Sequence, residues 1–91
     1  MSTVTSEGVR QFLLARYRQT IEALSLDPDG LADDFDLLLN GVIDSFGILE
    51  MISAIEEEFG IQIDLAALDA EEITRIGALS RYIADNAKGS N

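Results

Sequence analysis

Asp44-Ser45 sets a carboxylate beside a hydroxyl just ahead of a strongly amphipathic run, and chemistry is sought there first. A serine hydroxyl becomes a nucleophile only with a base in reach. The chain has no His and no Cys, and its single Lys, Lys88, lies close to the C-terminus. Ser45 is therefore not self-activated, and a reactive role requires a second protein to bring the base. Asp and Ser are also preferred helix N-cap residues, so the same pair is equally suited to capping. The two roles are compatible at one site.

Other constellations fail on residue type or spacing. Asp27-Pro28-Asp29-Gly30 has the flavour of a calcium loop, but the EF-hand pattern needs Gly at its sixth position and Glu at its twelfth, where this chain has Ala32 and Leu38. Gly41 and Gly47 are isolated and no Lys follows either, so there is no phosphate-cradling glycine loop. Without Cys or His there is neither a disulfide frame nor a thiolate or imidazole metal site. Paired carboxylates do acid–base work only in a sheltered cleft that sets their pKa values apart, which a small three-helix core does not spare. Most of the acidic residues read as solvated surface, and the chain reads as a non-enzyme.

Six Lys and Arg against seventeen Asp and Glu give a net charge of −11, which repels nucleic acid and anionic membrane surfaces and argues for a monomer. The 91 residues, 47% of them hydrophobic, close one core. A single domain is expected over 1–91, with an ordered core over about 6–86 and a polar tail over 87–91. The first residues lack a basic run, and Arg10, Arg16 and Arg18 interrupt the apolar positions that follow, so a signal peptide is not expected. No stretch approaches the roughly 18 apolar residues of a membrane helix. A cytoplasmic protein is the expectation.

The elements that must position Asp44-Ser45 follow from periodicity. Val9, Leu13, Tyr17, Ile21 and Leu24 mark an amphipathic first helix, with Ser6 as N-cap and Asp27-Pro28-Asp29-Gly30 as its limit. Residues 27–44 carry too many large apolar groups for a disordered linker, and are expected to form an ordered loop that packs Phe35 and some leucines, with Asn40-Gly41 turning the chain. Ile48, Ile52, Ile55 and Phe59 define a second helix from Ser45, stopped by Gly60. Gly47 is a poor helix residue there. Ile61-Gln62-Ile63 reads as an extended connection, and Asp64 as the cap of a short turn through Leu68. Asp69, Glu71 and Glu72 make an acidic start before a last helix carrying Ile76, Leu79 and Ile83, capped by Thr74 and ending near Asn86. Three main helices and a short one thus enclose a single core.

Glu50, Glu56, Glu57 and Glu58 decorate the second helix, three of them near its C-terminal end, where the helix dipole disfavours negative charge. Local stability does not account for that placement; a charge run of this kind is ordinarily a solvated face, and the unfavourable position points beyond that toward recognition of a basic surface.

Gly41-Val42-Ile43-Asp44-Ser45-Phe46, then Leu49-Glu50, then Ile55-Glu56-Glu57-Glu58-Phe59-Gly60 resemble the acyl and peptidyl carrier proteins, in which an Asp-Ser-Leu type motif opens the second helix. The similarity extends over roughly residues 9–84 and includes the Asp34-Phe35-Asp36-Leu37 feature of the long loop. It implies an all-α, small four-helix bundle of acyl-carrier type, with a long ordered loop between its first two helices. It further implies a 4′-phosphopantetheine arm on Ser45, attached from coenzyme A by a phosphopantetheinyl transferase to which Asp44 is presented, near that enzyme's metal ion. A serine at a helix N-terminus lies beside unpaired N–H groups that favour an attached phosphodiester. The thiol belongs to the arm, so a chain without Cys can still hold thioesters.

By position in the family motif, Phe46, Leu49 and Ser53 form an exposed stripe, and Glu50, Glu56 and Glu57 meet basic residues of partners: the transferase, an acyl- or aminoacyl-loading ligase and downstream synthase or transferase enzymes. Such charges speed encounter and fade with salt. Met51, Ile52 and Ile55 belong to the core or to a cargo-lining region. Phe46 in place of the usual Leu, followed by Gly47, resembles free-standing carriers of specialised pathways more than the fatty-acid carrier. The alternative is an unmodified acidic helical adaptor that shares the fold and binds a basic partner.

Overall fold

Three amphipathic segments form the helices α1 (Ser6–Ala23), α2 (Ser45–Phe59) and α3 (Ile76–Gly89) in the computed structural model, which describes residues 4–69 and 72–89. Two 3-10 turns, Pro28–Gly30 and Leu65–Ala67, complete the elements, so the expected short helix is a single tight turn. Among the described residues the only β-type pairing is one antiparallel bridge, Asp36 with Arg75. The all-α architecture expected from periodicity is the one observed. Glu71 of the acidic start and Ser90 and Asn91 of the tail lie outside the described residues.

The helix ends differ from the sequence expectation at four points. Thr5, extended at φ −115° and ψ 155°, caps α1 by accepting from the Gly8 N–H at 3.0 Å, and Ser6 is instead the first helical residue. Starting the turn one residue earlier lets Val9 donate to the Thr5 carbonyl while its side chain is fully buried. At the other end α1 stops at Ala23, ahead of Asp27-Pro28, because Ser25 takes a left-handed φ of 64°. Leu26 N–H then reaches the Ile21 carbonyl at 3.2 Å and Ser25 N–H the Glu22 carbonyl at 2.9 Å, the paired bonds of a Schellman ending. A left-handed Ser costs about 1 kcal/mol. In return Leu26 folds back to pack against the core, whereas Leu24 is left 42% exposed.

The third difference concerns α3, whose first N–H groups are satisfied by the long loop. Ile76 donates to the Phe35 carbonyl at 3.0 Å and Gly77 to the Asp33 carbonyl at 2.8 Å. Thr74, the expected cap, is buried, and its carbonyl accepts from Leu37 at 2.8 Å. The fourth is length: α3 continues to Gly89, past the expected end near Asn86.

The core is where the three stripes meet. Val9, Leu13 and Ile21 of α1, Met51 and Ile55 of α2, and Ile76, Leu79 and Ile83 of α3 are all at most 1% exposed. Leu37 joins them from the loop, and Phe12 meets Phe59 edge-on with ring centroids 5.6 Å apart. Asp33 ties the loop down, its carboxylate accepting from Arg10 at 3.2 Å and from Arg81 at 3.0 Å. The Asp27-Pro28-Asp29 segment is held in the same manner: Asp27 accepts from the Asp29 N–H at 3.0 Å, and Asp29 pairs with Arg18 at 3.3 Å. Those carboxylates work as turn and surface contacts.

Candidate functional site

The mouth of α2 is placed by the loop that precedes it. Gly41, at φ 80°, supplies a left-handed turn that few side chains adopt, after which Val42 and Ile43 both donate to the Leu37 carbonyl, at 2.9 and 3.1 Å. Val42 and Ile43 are buried, so the next two residues emerge at the surface at a defined point. Asp44 caps α2, its Oδ1 accepting from the Gly47 N–H at 2.7 Å. A Cβ at Gly47 would stand 3.2 Å from Ile43 Cβ and 3.3 Å from that same Oδ1. The glycine that is costly for helix propensity thereby gives the cap carboxylate room.

Ser45 is the first residue of α2 and is exposed, and its hydroxyl makes no hydrogen bond among the described residues. The first turn of α2 carries no acidic residue. A free hydroxyl beside open backbone N–H groups, in a first turn without acidic residues, suits a phosphodiester. Phe46 beside it is 81% exposed and Leu49 58% exposed, with Ser53 exposed one turn further along. Glu50, Glu57 and Glu58 are exposed and form no ion pair among the described residues. Met51, Ile52 and Ile55 are core residues.

Glu56 differs from its neighbours. It is half-buried, and its Oε2 accepts from the Ile63 N–H at 2.8 Å, pinning the extended 61–63 segment to the end of α2. One of the three dipole-disfavoured glutamates thus has a structural reason for its position. Glu56→Ala is expected to cost about 1.5 kcal/mol and to speed amide exchange at Ile63 by about tenfold, read by hydrogen exchange. Unchanged protection at Ile63 would show that the bond does not hold the segment.

Sequence reasoning placed Arg16 only among the polar positions of α1. In the structure Arg16 and Tyr17 face α2 and line, with Val42, Ile43, Asp44, Gly47 and Glu50, a cleft of about 220 Å³. Arg16 also lines the groove further along α2, with Leu49, Glu50, Ser53, Ala54 and Glu57. Its position three residues after the buried Leu13, on the flank of the apolar stripe, was the available signal.

A family model described as the phosphopantetheine attachment site matches residues 19–83 of this chain. The chain is 32% identical over 68 residues to the acyl carrier proteins of a Bradyrhizobium species and of Nitrobacter hamburgensis, covering 75% of this chain and 84% of each relative. It is 32% identical over 65 residues to the acyl carrier protein of Helicobacter pylori, covering 71% and 81% respectively. No solved structure matches it. The chain belongs to the phosphopantetheine-attachment family of acyl carrier proteins, non-catalytic carriers whose covalent group is 4′-phosphopantetheine. Among the described residues, no helix is long and apolar enough to cross a membrane.

Proposed function

We propose that Ser45 is the attachment residue, and that this chain ferries a thioester-bound acyl or aminoacyl group between enzymes of a fatty-acid, polyketide, non-ribosomal-peptide or other specialised pathway. The observation that carries the reading is the exposed, unpartnered Ser45 hydroxyl at the first position of α2. The arm supplies a terminal thiol for the thioester, and the chain's own residues place the attachment point and the docking face. Asp44 commits Oδ1 to the Gly47 N–H and leaves Oδ2 for presentation to the transferase.

Phe46, Leu49 and Ser53 supply the apolar and small contacts of that face, and Glu50 and Glu57 steer basic partner surfaces onto it. Glu56 combines the hydrogen bond to Ile63 with a place on the rim of the same face, beside Ser53 and Glu57. The partners are a phosphopantetheinyl transferase, a loading ligase and downstream synthase or transferase enzymes, met in the cytoplasm by a monomeric carrier.

Intact-mass spectrometry tests the reading: on incubation with coenzyme A and a broad-specificity transferase, the chain is expected to gain the mass of one phosphopantetheine. A folded chain that gains nothing would leave the acidic adaptor as the better account.

A further inference from the structure

We infer that Leu39 is an apolar anchor for the phosphopantetheinyl transferase, filling a pocket with a basic rim on that enzyme. This rests on Ser45 as the attachment residue. Of all the partners, the transferase is the one that must bring its phosphorus donor to the Ser45 hydroxyl itself, whereas enzymes acting on a thioester meet the far end of the arm. The surface flanking Ser45 is therefore covered in the transferase complex, whatever the later partners cover.

The run Leu37-Leu38-Leu39 divides in use: Leu37 is fully buried, Leu38 packs against the core and Leu39 is 82% exposed. The fold draws nothing from the third side chain, yet it holds that residue's backbone firmly. One carboxylate oxygen of the buried Asp36 accepts from the Leu38 and Leu39 N–H groups at 2.9 and 3.0 Å, and the Asp36 carbonyl accepts from the Asn40 side chain at 2.8 Å. Gly41 closes the turn onto the Leu38 carbonyl at 3.1 Å, and Asp36 is itself bridged to Arg75. A side chain carried on such a turn gives up little backbone freedom on binding, which is what an anchor requires.

The same hydrogen bonds fix where Leu39 stands relative to the attachment point. Ile43 N–H meets the Leu37 carbonyl at 3.1 Å, with Leu39 two residues beyond one end of that bond and Ser45 two residues beyond the other. Their Cα atoms are thus at most about 21 Å apart. An interface of standard size, roughly 30 Å across, spans that distance. Phe46, next to Ser45, is 81% exposed, so a large apolar side chain stands in water on each side of the attachment point along the chain. Charge decides the occupant. Asp34, Asp44 and Glu50, on the flanking loop and helix, are exposed and form no ion pair among the described residues, which suits basic groups around the apolar pocket. A second copy, carrying the same −11, is repelled.

The test uses the full chain with coenzyme A and a broad-specificity transferase, in wild-type, Leu39→Ala and Leu39→Met forms. KM and kcat for the chain are read from the rate of mass gain, at low and at high salt. Leu39→Ala is expected to raise KM about tenfold with kcat unchanged, and the loss persists at high salt because the lost contact is apolar. Leu39→Met keeps most of the affinity. Melting temperatures stay at the wild-type value, since the exposed side chain lies outside the core. An unchanged KM in Leu39→Ala, or a rise matched by a lower melting temperature, would overturn the inference while leaving the carrier function standing. So would a wild-type dimer in sedimentation that Leu39→Ala dissociates, which gives the side chain to a second copy. Absence of wild-type loading would instead overturn the assignment of Ser45 and the anchor with it.

Discussion

Adding one methyl group at Gly77 is expected to destabilise the domain by about 2 kcal/mol, although alanine is the better helix former by about 1 kcal/mol. A Cβ at Gly77 would lie 2.7 Å from the Asp33 carbonyl oxygen, 2.8 Å from its Cγ and 2.9 Å from its Cβ. Backbone cannot swing aside as a long side chain does, so the loop must move. Its displacement strains the Gly77 N–H bond to Asp33 and both ion pairs that Asp33 makes, with Arg10 and Arg81. The Arg81 pair is largely exposed and contributes little, whereas in the other pair Arg10 is mostly buried and only Asp33 is exposed; the buried close approach and the helix-start N–H account for most of the loss. For a domain of this size the melting temperature should fall by about 10 °C in Gly77→Ala, followed by circular dichroism. An unchanged or raised melting temperature would show that the loop is not anchored there.

Ser45→Ala has the opposite profile: complete loss of arm attachment with stability changed by no more than about 0.5 kcal/mol. The Ser45 hydroxyl makes no hydrogen bond among the described residues, so its removal leaves no partner unsatisfied. Capping belongs to Asp44, and Asp44→Ala should cost about 1 kcal/mol through the lost bond to the Gly47 N–H. The two variants separate roles that were both open for the pair. Intact mass after exposure to coenzyme A and transferase, paired with urea denaturation, reads both quantities. Attachment persisting in Ser45→Ala would move the site to another hydroxyl, and a large stability loss would make Ser45 a structural residue.

Much of the architecture was legible along the chain because it depends on neighbours three or four residues apart. The apolar periods through Leu13, Ile52 and Leu79 identified the buried faces, and all three residues are buried. Asp64 was legible as a cap for the same reason, since its carboxylate accepts from Ala66, two residues on, at 3.0 Å. The end of α1 was less so. Pro28 is a visible stop signal, yet the helix ends earlier, at a left-handed Ser25 whose conformation is dictated by the burial of Leu26 and Pro28.

The linear order of residues by itself determined that a carboxylate and a hydroxyl stand where a helix opens, that no internal base serves that hydroxyl, and that the surface is strongly acidic. Tertiary structure alone decided what begins α3, what Glu56 is for and where Arg16 lies. Those roles depend on groups brought together across the fold: Asp33 meets Arg81 from 48 residues away, and Arg16 of α1 shares a cleft with Glu50 of α2. Residue type and local spacing specify contacts within a turn or two of helix, whereas contacts between segments follow from packing one shared core.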